Sequence, residues 1–150
     1  MPTTATVTAP RRTHCAGLRS AAVLAAAAVV AVTLNSLVAL VARAAGAPAD
    51  YGPLTLPAQA MLTVIGLVVG WIGWRLVQRR ARDPRRTLRV LVPAVVLVSF
   101  VPDVLLLALR FIPGTTTVGV LALMVMHLVV AAVAITAYRL AAGDGRPRSV

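Results

Sequence analysis

Four stretches of this chain, residues 20–42, 56–77, 90–109 and 116–140, are each about the length needed to cross a lipid bilayer and are nearly free of charge. A helix of about 20 residues spans roughly 30 Å, the thickness of the hydrocarbon layer. Within that layer every backbone N–H and C=O must be satisfied by the chain itself, so runs of this length are accommodated as helices. The composition, 59% apolar and 13% charged, lies far from the soluble norm of about half apolar and a quarter charged. The fold class expected is therefore all-α, a polytopic membrane protein built as a four-transmembrane-helix bundle.

The charge sets the orientation. A net charge of +11 arises from fifteen arginines against four aspartates, with neither lysine nor glutamate, and seven of the arginines fall between Arg75 and Arg89. That segment cannot enter hydrocarbon without a large cost. With an even number of spans, Arg11, Arg12, Arg19, the central seven, Arg139, Arg146 and Arg148 lie on one side, thirteen in all, and Arg43 and Arg110 lie on the other. Positive loops remain in the cytoplasm, so both termini are expected inside, in the cytoplasmic (inner) membrane. Arg79, Arg80, Arg82, Arg85, Arg86 and Arg89 are then expected to contact anionic headgroups. In a soluble protein this charge would point to nucleic acid; here topology and headgroups account for it, and no nucleic-acid partner is expected.

Residues 1–19, rich in Thr, Pro and Arg, read as a disordered basic cytoplasmic tail, and residues 141–150 as a second, polar tail. The first apolar run also invites a signal-peptide reading, because Ala42-Arg43-Ala44 and Ala45-Gly46-Ala47 resemble processing sites. A signal core is usually about 7 to 15 residues, which favours an uncleaved first span. Arg11-Arg12 lacks the apolar residues that follow the pair in a twin-arginine signal. Gly46, Pro48, Asp50, Gly52 and Pro53 mark an external loop, and Pro113-Gly114 a tight external hairpin. Trp71 and Trp74 suit the headgroup boundary. Asp83-Pro84 marks the cytoplasmic turn, and Pro102 should kink the third span.

Transmembrane helices associate through small residues and interhelical hydrogen bonds. The inward faces expected are Ala28, Ala31, Asn35, Ala39 and Ala42; Gln59, Thr63, Gly66, Gly70 and Gly73; Ser99, Asp103 and Arg110; and Thr116, His127, Ala131 and Ala134. Gly66, Gly70 and Gly73 are assigned to helix packing, with homodimerisation through the GxxxG pair as the alternative. Residues 35–43 also align on residues 102–110, a faint echo that would make two parallel helical hairpins.

Few side chains could carry chemistry. Asp103 lies about 9 Å inside its helix end, and an ionisable group at that depth is a functional candidate. Its ordinary role is structural, neutral or paired with Arg110 or Arg43. His127 lies about 7 Å deeper, so contact with Asp103 would require helix tilt or a bridging water. Donation from the imidazole to a nearby carbonyl or to Asn35 is the simpler outcome. Asn35, Ser99, Asp103 and His127 are thus the intramembrane polar candidates. One cysteine, Cys15, excludes an internal disulfide and a cysteine-based metal site. One His and one Asp fall short of a metal's usual ligand set, so neither metal nor cofactor is expected. No nucleophile, base and orienter can be assembled, and no enzyme is expected.

Arg85-Arg86-Thr87-Leu88-Arg89, Ser99-Phe-Val-Pro-Asp103 and the run Met126-His127-Leu128-Val129-Val130-Ala131-Ala132 together resemble a family of small four-span bacterial membrane proteins classed as a domain of unknown function. The likeness covers residues 20–140 and implies a four-helix membrane domain, without an activity, substrate or partner. The residues themselves favour a non-enzymatic protein embedded in the lipid bilayer that associates with itself, with another membrane protein or with anionic lipid. The alternative is a small transporter or proton-coupled channel working through Asp103 and His127.

Overall fold

The computed structural model describes residues 11–142, with side chains from residue 17 onward. Helix α1 covers Arg11–Ala44, α2 Leu56–Arg80, α3 Pro84–Ser99, α4 Val101–Leu109 and α5 Thr117–Ala142, and a single 3-10 turn covers Gly52–Leu54. Among the described residues there is no strand. Four segments are long and apolar enough to cross a membrane: Gly17–Ala44, Leu56–Arg80, Pro84–Leu109 (α3 with α4) and Thr117–Ala142. The chain is a multi-pass, all-helical membrane protein. Its spans run alternately up and down between an arginine end, which holds the α2–α3 turn, and a loop end, which holds residues 45–55 and 110–116.

Helix α1 begins earlier than expected. Residues 11–19, read from sequence as part of a disordered tail, are helical. No proline interrupts the chain between Pro10 and Pro48, and once a helix exists each added residue gains one more hydrogen bond. Expectations for the tails at residues 1–10 and 143–150 fall outside the described residues. At its other end α1 stops in a Schellman motif. Gly46 takes φ +101°, the Ala47 N–H donates to the Ala42 carbonyl at 2.9 Å, and the Gly46 N–H donates to Arg43 at 3.1 Å.

The basic segment is not an open loop. Helix α2 continues through Arg79 and Arg80, α3 begins at Pro84, and only Ala81, Arg82 and Asp83 lie between them. Arginine is a good helix former, and Pro84 sits at the helix start, where its missing N–H costs nothing. Asp83 closes the turn by accepting the Arg86 N–H at 3.1 Å, which satisfies one free donor of α3. Pro93 stays within α3, whereas Pro102 goes with an outright break: α3 ends at Ser99 and α4 begins at Val101. Without a Pro102 N–H the Val98 carbonyl loses its helical donor, and the Phe100 N–H serves Leu97 and Val98 instead.

Helices α1 and α5 form the most extensive pair in the bundle. They run antiparallel, and at the arginine end the Ser20 hydroxyl donates to the Ala141 carbonyl at 3.2 Å. Ala27, Ala31, Ala39 and Ala42 on α1, with Ala122, Ala134 and Ala137 on α5, are buried. Without long side chains at the seam the backbones approach closely, as packing within lipid requires. At the loop end, the segment expected as a plain external connection folds back into the bundle. Tyr51 is 0% exposed and Leu54 1%, in a cluster with Ala39, Ala42, Leu106 and Val120. The Tyr51 ring occupies the space left by Gly119, where a Cβ would lie 3.0 Å from Cε1.

At the arginine end Tyr138 takes the corresponding role. Its hydroxyl donates to the Leu67 carbonyl at 2.6 Å, and its ring lies 5.5 Å from Trp71 and 5.7 Å from Trp74. Trp74 is turned into the bundle. Of the three glycines assigned to packing, Gly70 alone makes a close approach: a Cβ there would collide with the Tyr138 hydroxyl. A methyl group at Gly66 or Gly73 would meet no atom within 4 Å.

Candidate functional site

Two groups of polar side chains lie inside the bundle. The first joins α1 to α2. Asn35 Nδ2 donates to Thr63 Oγ1 at 3.0 Å, and Gln59 Nε2 donates to Ser36 Oγ at 3.0 Å. The Ser36 hydroxyl in turn donates to the Val32 carbonyl at 2.8 Å. These cross-ties arise because Asn35 and Ser36 on α1 face Thr63 and Gln59, one turn apart on α2. Asn35 Oδ1 and Gln59 Oε1 are buried and make no hydrogen bond among the described residues. Each ladder therefore uses the amide donor and leaves the carbonyl oxygen available.

The second group joins α4 to α5. The break at Phe100 places Asp103 in the first turn of a new helix. Asp103 is 5% exposed, and its Oδ2 lies 3.1 Å from His127 Nδ1. The same Nδ1 is 2.9 Å from the Leu123 carbonyl, one turn back on α5. Only the Leu123 approach has hydrogen-bond geometry, and Oδ2 is left without a hydrogen bond. Asp103 Oδ2 and His127 Nδ1 are therefore in close contact, while the hydrogen-bond partner of Nδ1 is the Leu123 carbonyl. The Phe100 ring meets the imidazole edge-on, with centroids 6.2 Å apart at 83°. The His127 side chain keeps 38% of its surface exposed against 7% for Asp103.

The sequence-derived candidates are thus divided between two groups. Asp103 and His127 meet directly, although straight helices put them about 7 Å apart in depth. The contact forms where α4 packs against α5. Asn35 binds Thr63 rather than His127. Ser99 donates to Val96 in its own helix at 2.7 Å and joins neither group. The partners considered for Asp103 are engaged or turned away: Arg43 Nη2 donates to the Leu54 carbonyl at 3.1 Å, and Arg110 is exposed at the end of α4 with φ +49°. Gln59 and Thr63, read only as packing residues, and Tyr51, read as loop, are the buried polar residues that sequence reasoning undervalued. The signal for Tyr51 was an aromatic residue flanked by glycine and proline beside a membrane span.

The arginines gather at the opposite end. Arg75, Arg79 and Arg80 occupy the last turns of α2, Arg82 the turn, and Arg85, Arg86 and Arg89 the first turns of α3. Among the described residues no arginine has a carboxylate partner; the one side-chain carboxylate contact to a basic residue is that of Asp103 with His127. Also among the described residues, no three His, Cys, Asp or Glu side chains gather in a way that could hold a metal ion.

A four-span bundle with an internal carboxyl–imidazole contact and an arginine-capped end defines a class of small polytopic membrane protein. The chain belongs to the family of unknown function DUF6069, which matches it over residues 15–144. No curated protein and no solved structure matches it.

Proposed function

We propose that this protein is a non-enzymatic component of the cytoplasmic membrane, with both termini inside, that works by lateral association within the bilayer. The observation that carries the reading is the third span. Helix α3 has no buried residue and is held mainly through Leu88 and Val92, while the α1–α5 seam is tightly closed. The α3 half of the third span therefore offers most of its surface to lipid or to another transmembrane segment, while the α4 half carries the buried Asp103 and Leu106. The thirteen-to-two distribution of arginines supports the orientation, and the unpaired guanidinium groups support contact with anionic headgroups. The test uses a chain with Cys15 replaced and single cysteines along the outer face of α3, oxidised in native membranes. Discrete disulfide or crosslinked adducts are expected, and their mass separates a second copy from a different protein. A monomer at every position, together with no preference for anionic lipid, removes the reading.

A second reading rests on the 3.1 Å contact of His127 with Asp103. Two ionisable groups in contact at membrane depth, beside a helix break, suit a proton-coupled carrier. In that case Asp103→Asn and His127→Ala abolish a proton-dependent flux while leaving the bundle assembled. Unchanged flux and growth in both variants refute it.

A further inference from the structure

The arginine end contains one place where charge and an apolar wall meet. Trp71, Ile72, Arg75, Leu76 and Arg79 line a shallow groove of about 250 Å³ on α2. Trp71, Arg75 and Arg79 recur every four residues, so they lie above one another on one helix face at intervals of roughly 6 Å. Counting from Leu56, about 20 residues of α2 use up the roughly 30 Å of hydrocarbon. Arg75 then lies at the hydrocarbon boundary, Arg79 one turn further into the headgroups, and Trp71 one turn inside.

We infer that this groove binds a single anionic phospholipid, its phosphate held between Arg75 and Arg79 and one acyl chain lying against Ile72 and Leu76. The inference rests on the headgroup contact proposed above and narrows it to one site. Its first support is charge. Arg75 and Arg79 are like charges one turn apart, an arrangement that repels, and neither has a carboxylate partner among the described residues. A bridging phosphate relieves that repulsion, and the planar guanidinium presents paired donors to it. The second support is orientation. The Arg75 guanidinium lies over the Trp71 ring at 5.4 Å, and Trp71 rests against Tyr138 at 5.5 Å. The cation is thereby held at the groove by a ring that the bundle core fixes. The third is the wall: Ile72 and Leu76 are 61% and 49% exposed beside the charges, an apolar surface at the depth of the upper acyl chain. Inorganic phosphate would use the charges and leave this wall uncovered, whereas a phospholipid uses both.

The experiment uses full-length protein carrying Trp74→Phe, so that Trp71 is the one tryptophan, reconstituted in phosphatidylcholine vesicles. A small fraction of lipid with brominated acyl chains is added, either phosphatidylglycerol or phosphatidylcholine, and quenching of Trp71 is followed. Each guanidinium near an anionic surface is equivalent to about fivefold in binding, so brominated phosphatidylglycerol should be favoured at least fivefold. Arg75→Gln with Arg79→Gln should bring the ratio to one, and Arg85→Gln with Arg86→Gln should leave it high. If Trp74→Phe does not fold, the unsubstituted chain serves, because Trp74 is only 9% exposed. A preference that survives loss of Arg75 and Arg79 overturns the site. Equal loss in both double variants also overturns it, leaving only a diffuse attraction to the basic end. Competition by inorganic phosphate in the aqueous phase replaces the lipid with a soluble anion and overturns the assignment. No preference in any chain removes the headgroup contact as well. Both vesicle leaflets contain the anionic lipid, so these results do not depend on orientation. Orientation is tested separately, in cells, by labelling a cysteine at position 78 with an impermeant maleimide.

Discussion

The contact between Gly70 and Tyr138 gives the most discriminating test of the fold. A methyl group at position 70 would collide with the Tyr138 hydroxyl and lie 3.3 Å from two ring carbons, whereas one at position 66 would meet nothing within 4 Å. Gly66→Ala therefore reports the helix-propensity gain alone, up to about 1 kcal/mol. Gly70→Ala adds an overpacking cost of about 1–3 kcal/mol to the same gain. Tyr138→Phe removes the hydrogen bond to Leu67 and should cost about 0.6 kcal/mol, with ~1.7 as the upper bound for such bonds in lipid. It also removes the colliding atom, leaving ring carbons that need shift only a few tenths of an ångström. The difference between the two alanine variants should thus fall below about 1 kcal/mol in the Tyr138→Phe background. Reversible unfolding in mixed micelles measures all six chains, and Trp71 and Trp74 report locally because both rings pack on Tyr138. If Gly70→Ala matches Gly66→Ala, or the gap is unchanged without the hydroxyl, the α2–α5 packing is wrong.

Three further outcomes follow from other parts of the molecule. Asp83→Ala should destabilise the chain by ~1 kcal/mol through loss of the cap on Arg86, with the α2–α3 turn loosening in amide exchange. Asn35→Ala should cost about 0.6 kcal/mol, and Thr63→Ala in the same chain little more, since the two share one hydrogen bond. Burial raises the pKa of Tyr51 above the ordinary 10.0, so the fold binds this proton more tightly than the unfolded chain does. Its contribution is complete below pH 10.0 and is lost as pH rises through the folded value; Tyr51→Phe should remove that alkaline loss in a pH series of unfolding curves.

Much of the helical architecture could be read from the residues because hydrocarbon imposes it. Ala31, Asn35, Ala39 and Ala42 share one face of α1 by spacing alone, and all four are buried. The glycines of α2 show where spacing falls short. Gly66, Gly70 and Gly73 look alike in sequence, and only the position of Tyr138 on another helix distinguishes Gly70. The candidate site shows the same division. Asp103 and His127 stand out as ionisable residues in apolar runs, but their contact depends on how α4 packs against α5. Tyr51 was hidden for a related reason: glycine and proline around it mark a turn, and nothing local says whether a turn faces water or folds inward.

The amino-acid sequence by itself determines that this protein is all-helical and embedded in lipid, because about 20 uncharged residues leave the backbone no other way to satisfy its hydrogen bonds. It also determines where the chain turns, through Gly46, the Asp83-Pro84 pair and Pro113-Gly114. Tertiary structure alone decided which helix faces meet, that Tyr51 and Tyr138 close the two ends of the bundle, and that His127 touches Asp103. Those outcomes depend on close fits between residues far apart in the chain. Lipid is as apolar as the side chains it surrounds, so apolar patterning cannot encode them.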